Sequence, residues 1–343
     1  MMKLPSDHGA SAPDRRRPNS YDVARLAGVS QSAVSRCFRA GASIAPETRR
    51  RVEEAAAAIG YQPNSIASGL ITKRSNLVAV LISNLTNLYY PEVLAQLSHR
   101  LNEQGVRVLL FALQRESDVD AALAQVWRYR VDGAIVAARL ADEQLRAFAK
   151  HRVPVVLYNR FSDGEAVTSV RCDSRGGERV LVDRLVAAGH RRFAVVSGPS
   201  DSFVSAERVS AATEQLRLHG LVPSMAPGSF DHDSGAAAMT QLWRTEQPDA
   251  VICANDLMAL GAIDAARHEL GLAIPGDVSV VGFDGVGPAA WPSYRLTTIR
   301  QPVGRMTEAA VAMLLERVVT PDLPPELRSF AGLLVEGASA RLS

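Results

Sequence analysis

The pattern of apolar and polar positions changes character along the chain. Between Asn19 and Ile59, apolar residues recur three and four positions apart, the spacing of the buried stripe of a helix. Three helices are predicted, at Ser20–Leu26, Gln31–Phe38 and Pro46–Ile59. Asn19 is placed to accept from first-turn amides, with Asp22 three residues on, and Ser30 holds the same position before the second helix. Gly28 tolerates the left-handed bend that ends a helix, and Pro46 suits a first turn because its missing N–H needs no partner there. Ala33, Val34 and Cys37 fall on the inward side of the second helix.

From Asn76 the period shortens. Nearly continuous apolar runs at Leu77–Ile82, Val106–Phe111, Gly133–Ala137, Val153–Tyr158, Phe193–Ser197, Ala250–Ala254 and Val278–Phe283 read as strands. Helical stretches at Glu92–Glu103, Ala121–Tyr129, Gly176–Ala188, Ala206–His219, Gly235–Arg244 and Asp256–Leu270 alternate with them. Strands apolar on both faces, separated by helices, predict parallel sheets covered on each side. About 265 residues of this pattern exceed one comfortable sheet. The predicted fold class is therefore a small all-α helix-turn-helix head on an α/β body of two Rossmann-like subdomains.

The flanking segments carry no such period. Residues 1–18, with Arg15, Arg16 and Arg17, are expected to form a disordered basic arm, the head to span 19–62 and a linker 63–75. A helix as short as that linker is marginal in water, and Gly69 costs it about 1 kcal/mol relative to alanine. The body then runs over 76–343.

Composition and charge narrow the partners. The chain has 343 residues, 47% hydrophobic and 22% charged, enough apolar surface to fold. No apolar run reaches the ~18 residues a bilayer span needs, and residues 1–14 lack the apolar stretch of a signal peptide, so a soluble, cytoplasmic protein is expected. Residues 1–74 carry twelve Lys/Arg against six Asp/Glu, or +6; of the chain's 38 and 36, the remaining 26 and 30 leave −4 on the body. A basic module points to a polyanion, although clustered arginine can equally be a solvated helix face. Cys37, Cys172 and Cys253 form no C-x-x-C pair and have no histidine at metal spacing, so neither a disulfide framework nor a metal site is expected.

Two short helices joined through Ala27-Gly28-Val29 make a helix-turn-helix, whose second helix presents its first side chains to base edges. Those are Gln31, Ser32 and Arg36. Glutamine pairs with adenine and arginine with guanine, each discriminating by about 1–3 kcal/mol. The alternative is a three-helix packing module with its polar side chains in solvent.

Five motifs in order carry a family likeness: Tyr21-Asp22-Val23-Ala24, Ala27-Gly28-Val29-Ser30, Val34-Ser35-Arg36, Pro46-Glu47-Thr48-Arg49 and Gly60-Tyr61-Gln62-Pro63-Asn64. With them the chain resembles the lactose/galactose repressor family of bacterial transcription regulators, to about residue 340. The departures are Ala45, where the family often has a serine cap; Cys37-Phe38-Arg39, where Val-Leu-Asn is usual; and Gly69, where it tends to have Ser or Gln. The resemblance implies an effector-responsive DNA-binding regulator, a repressor, working as a homodimer on a near-palindromic DNA operator. It adds Tyr21, Ser30, Ser35 and Asn64 to the DNA-contacting set. It also implies that the linker becomes a hinge helix, with Leu70 wedged into the minor groove at the operator centre.

For the body, the resemblance implies subdomains like those of periplasmic sugar-binding proteins. The expected crossovers lie near Asn159–Phe161, Ala290–Tyr294 and Val319–Leu323, giving one subdomain of about 76–160 and 292–320 and another of about 161–291 and 321–340. The effector, a sugar or sugar derivative with no cofactor, would sit between them, outside the carboxyl ends of the strands. Tyr89, Tyr90, Asn159, Arg171, Arg208, Phe230, Asn255, Asp284 and Gln301 match effector-contact positions. For the aromatic residues the alternative is core packing; for Asp256, after Asn255, it is a helix cap. Arg171 replaces a residue often apolar in the family, and beside Arg208 it would favour a sugar acid, unless it pairs with Asp173. Helix positions Val93–Leu101 are candidates for the dimer contact.

Two other readings compete with this one. An enzyme on a sugar or nucleotide would need reactive groups, yet Gly282-Phe283-Asp284-Gly285-Val286-Gly287 lacks the spacing of a dinucleotide loop, and neither a G-x-S-x-G elbow nor a Walker loop is present. A transport-associated sugar-binding protein would account for the body but not for the head.

Overall fold

The computed structural model describes residues 16–38, 42–62, 74–115, 118–162, 164 and 166–342. Its contacts divide the chain into two units, Met1–Ser75 and Asn76–Ser343. The expected arm (apart from 16–18) and hinge positions 63–73, including Asn64 and Leu70, lie outside the described residues.

The first unit holds α1 (Ser20–Ala27), α2 (Gln31–Cys37) and α3 (Pro46–Ala58). The Asn19 side chain accepts from the Tyr21 amide at 2.9 Å and the Asp22 amide at 3.2 Å, while the Asp22 carboxylate accepts from the Asn19 amide at 3.0 Å, a reciprocal capping box. Gly28 closes α1 at φ +62°, and the Ser30 hydroxyl accepts from the Ala33 amide at 3.2 Å to start α2. Ala45 offers α3 no side-chain cap. Val23, Val34 and Val52 are wholly buried between the helices, with Cys37 and small alanines around them.

The arginine run of α3 has internal duties. Arg51 donates to the carbonyls of Ala27 and Gly28, and Arg49 to that of Cys37 at 2.8 Å, so both satisfy carbonyls at helix ends that lack intrahelical partners. Arg50 pairs with Glu47 at 2.8 Å and Glu54 at 3.3 Å. Part of the head's positive charge thus fastens the turn.

The second unit contains two six-stranded sheets. The first is ordered β11-β5-β4-β3-β1-β2, formed by β1 (Leu77–Ser83), β2 (Arg107–Leu113), β3 (Gly133–Ala137), β4 (Val155–Tyr158), β5 (Ser169–Asp173) and β11 (Leu327–Ala331), all parallel. The second is ordered β12-β10-β9-β8-β6-β7, formed by β6 (Phe193–Val196), β7 (Ser224–Ala226), β8 (Ala250–Cys253), β9 (Ser279–Asp284), β10 (Thr297–Arg300) and β12 (Leu333–Val335), with only β12 antiparallel. Every residue of β3, β8 and β9 is buried, as strands covered on both faces require.

The crossovers differ from expectation. The chain leaves the first sheet after β5 at Asp173, not near 159–161; it returns after β10 at Arg300, not near 290–294; and it passes back at Gly332, between β11 and β12, not near 319–323. Each displacement has one cause, a strand that no apolar run announces. β5 carries Arg171 at its centre, β10 opens with two threonines, and β11 alternates exposed and half-buried residues.

Helices cover both sheets: α4 (Tyr89–Glu103), α5 (Val119–Tyr129), α6 (Asp142–His151), α7 (Ser174–Ala187), α8 (Phe203–Leu218), α9 (His232–Thr245), α10 (Asp256–Asp264) and α11 (Val303–Val319). In α4, Val93, Leu97 and Leu101 are buried in the unit's own core and Leu94 packs half-buried against it, so this helix leaves Ala95 and His99 on its outer side.

Candidate functional site

On the head, the predicted contact residues separate into two sets. Tyr21, Ser32, Ser35 and Arg36 are exposed, Tyr21 by 70%. Among the described residues the Arg36 guanidinium has no ion-pair partner, and it projects from the last turn of α2. Ser30 is exposed too, but its hydroxyl serves as the α2 cap and lies 2.9 Å from that of Ser32. Gln31 is half-buried, its amide reaching the Ser20 hydroxyl at 3.3 Å. A capped helix that leaves two hydroxyls and one guanidinium in solvent has the donors that base edges and phosphates accept.

In the body, the carboxyl ends of β1, β4, β9 and β10 converge with the first turns of α4 and α8. Around them lie Tyr89, Tyr90, Asn159, Arg208, Phe230, Asp284 and Gln301, together with Asn84, Asn87, Arg160, Ser202 and Val204. A polar chain crosses from one sheet to the other: Asn159 Nδ2 donates to Gln301 Oε1 at 2.8 Å, and Gln301 Nε2 and Arg208 Nη2 both donate to Asp284 Oδ1, at 2.7 and 2.8 Å. Arg208 also donates to the Ala254 carbonyl at 2.7 Å and stacks over the Phe283 ring. Tyr89 takes an Asn159 hydrogen bond at 3.2 Å, and Arg160 reaches Tyr90 and Ser83 at 3.4 Å each. The void these residues enclose is only about 10 Å³, room for one water at most.

Two features mark this chamber as more than packing. Of the nine non-glycine residues with positive φ among the described residues, four line it: Asn84, Asn159, Phe230 and Asp284. Asp284, at +129°, lies in a region nearly reserved for glycine, a cost of about 1–3 kcal/mol that clusters at ligand clamps. Second, Arg208 Nε and Asp284 Oδ2 are buried with no hydrogen-bond partner, as is Oε2 of Glu178 on α7. Unpaired buried polar atoms are costly unless a ligand or water completes them. Burial pushes the Asp284 carboxyl up, and the guanidinium of Arg208 and the side-chain amides of Gln301 and Asn87 pull it back. Burial also pushes Glu178 up, to about 8, with Arg208 lowering it and Asp284 raising it.

Two predicted contacts lie elsewhere. Asn255 is fully buried with both ends of its amide engaged, Oδ1 capping α10 through the Met258 amide at 3.0 Å and Nδ2 donating to the Phe230 carbonyl at 3.1 Å. The cap role weighed for Asp256 thus belongs to Asn255. Asp256 instead accepts from the amides of Gly285 and Val286 at 2.7 and 2.8 Å, anchoring the loop after Asp284. Arg171 is off the chamber wall; it lies over the Phe161 ring and 3.7 Å from Glu207, not paired with Asp173, whose carboxylate caps α7. The residues that sequence reasoning missed, Asn84, Asn87, Arg160, Ser202 and Val204, sit just past strand ends or at the start of α8. The strand-end rule that picked out Asn159 and Asp284 also reaches them.

Comparison with known proteins gives two matching family models: Bacterial regulatory proteins, lacI family, over residues 21–64, and Periplasmic binding protein-like domain, over residues 182–340. The HTH-type transcriptional regulator CelR of Thermobifida fusca is 31% identical over 323 residues, covering 91% of this chain and 95% of that protein. Among solved structures, the Lac repressor dimer bound to operator and the anti-inducer ONPF superposes with a TM-score of 0.84 at 28% identity, covering 94% of this chain and 99% of that one. A complex of CelR with cellobiose gives 0.71 at 29% identity, covering 94% and 100%.

Proposed function

This chain belongs to the LacI family of bacterial regulatory proteins, and from that premise we propose that it represses carbohydrate-utilisation genes in response to a carbohydrate held between its two sheets. It is a DNA-binding transcription regulator; the family is not one of enzymes. The proposed working form is a homodimer on a near-palindromic operator, since protein two-fold symmetry is mirrored in half-site symmetry. Tyr21, Ser32, Ser35 and Arg36 face the duplex in this reading, with Asn64 and Leu70 as further contacts. No helix among the described residues is long and apolar enough to cross a membrane, which accords with work on DNA in the cytoplasm.

The observation that carries the effector reading is the unfinished hydrogen bonding of the Arg208–Asp284 pair. Arg208 Nε needs an acceptor and Asp284 Oδ2 a donor, and vicinal sugar hydroxyls supply both at once. A void of about 10 Å³ admits no sugar, so the two subdomains must part to bind one. A ligand with different affinities for the open and closed arrangements shifts their populations, and with them DNA affinity. The relatives support the chemistry: CelR has been captured with cellobiose. The test is calorimetry of the full chain against sugars, with Asp284→Asn as control. Loss of binding in the variant is expected; equal binding removes Asp284 from the site.

A further inference from the structure

Beside the closed chamber lies a second, open one of about 550 Å³, within the range of sites that hold small ligands. Its wall includes Phe161, Phe203, Arg139, Asp142, Gln144 and Asp201. The two chambers share the same two segments of chain. Asn159 and Arg160 face the inner one while Phe161 and Ser162 face the outer; Ser202 and Val204 face the inner one while Asp201 and Phe203 face the outer. The two chambers therefore lie on either side of the same two segments, and a ligand that parts the subdomains beside the inner one meets the outer one next. Phe161 follows β4 of the first sheet, and Phe203 opens α8 beside the second. Their rings meet edge to face at 4.6 Å, so the outer chamber has an aromatic surface contributed by both subdomains. Arg171 backs the Phe161 ring at 5.1 Å and pairs with Glu207 on α8, which fixes that ring in place.

We propose that the effector is an oligosaccharide, with one ring in the inner chamber and the next in the outer chamber against Phe161 and Phe203. This rests on the carbohydrate reading above and makes it narrower. The apolar C–H face of a pyranose stacks on aromatic rings, and carboxylates and amides around that platform accept and donate to its hydroxyls. Asp201 and Asp142 supply carboxylates here, Asp142 also accepting from the Ser162 hydroxyl at 3.2 Å, while both ends of the Gln144 amide are engaged, by the Ala141 amide and by Asp120. Once the subdomains part to admit a ring beside Arg208 and Asp284, a single hexose there would leave the larger space, with its aromatic lining, to water.

The test is calorimetry of the full-length protein with cellobiose, maltose, lactose and sucrose against glucose, galactose and fructose. One disaccharide is expected to bind at least tenfold more tightly than either component. In Phe203→Ala and Phe161→Leu that preference should shrink toward parity, with the thermal midpoint and circular dichroism checking that each variant is folded. A monosaccharide that binds as tightly as every disaccharide containing it overturns the second-ring site and leaves the carbohydrate reading standing, as does a preference that both folded variants retain. No binding by any of the seven sugars overturns the carbohydrate reading itself.

Discussion

The candidate DNA contacts and the candidate effector chamber are built in opposite ways. Tyr21, Ser32, Ser35 and Arg36 come from two adjacent helices, stand in solvent, and depend on the fold only through caps and a small core. The chamber gathers side chains from Asn84 to Gln301, buries almost all of them and bonds them to one another. A change in the head should therefore act locally and cheaply, whereas a change in the chamber leaves buried partners stranded.

The largest effect expected on this contrast is at Arg208. Arg208→Ala strands Asp284, which is 3% exposed, without its cation, and one-sided removal of a buried pair costs about 3–5 kcal/mol. Denaturant unfolding should show the loss in the body's transition and not in the head's; a loss below 1 kcal/mol would mean the pair is effectively solvated.

Glu178→Gln probes the same buried charge through pH. The native carboxyl titrates at about 8 against an ordinary 4.5, so between those values the folded state binds a proton the unfolded state has released. Body stability must then fall as pH rises from about 5 to 8, by up to about 1.4 kcal/mol per pH unit. Glu178→Gln should reduce that slope most between pH 7 and 8, leaving below pH 7 the part that comes from Asp256, whose buried carboxyl is pushed up to about 7. A wild-type profile already flat in this window would show that Glu178 is ionised in the folded state.

On the head, Arg36→Ala should weaken operator binding by about 1–3 kcal/mol and relax base choice at one position per half-site, with sugar affinity unchanged. Equal weakening on every sequence would assign Arg36 to phosphate. The smallest effect concerns the uncapped α3. Ala45→Ser should stabilise the head by about 1 kcal/mol in thermal unfolding, provided its hydroxyl can reach the first-turn amides.

The same contrast explains what could be read in advance. Caps, turn and helix ends of the head are local, so Asn19, Ser30 and Gly28 announced them within a residue or so. In the body, strands buried on both faces announced themselves through uniform apolar runs, while β5, β7, β10, β11 and β12 did not, and the crossovers shifted with β5, β10 and β11. The chamber was legible where a strand ends in a polar residue, as at Asn159 and Asp284. Arg171 and Asn255 misled because a strand-end position does not fix which way a side chain turns. Arg171 turns to Phe161 and Glu207, and Asn255 caps its helix. Glu178, interior to a helix and buried, gives no local sign of its place beside Arg208.

The most direct test joins the two regions. Full-length protein would first select duplexes from a random pool, and the best of them would be titrated at fixed salt with and without the tightest-binding sugar. The account predicts a near-palindromic duplex, bound far above random competitor, whose affinity changes at least tenfold with sugar in the wild type and not in Asp284→Asn. Absence of any preferred duplex, or a DNA affinity indifferent to a sugar shown to bind, would contradict it.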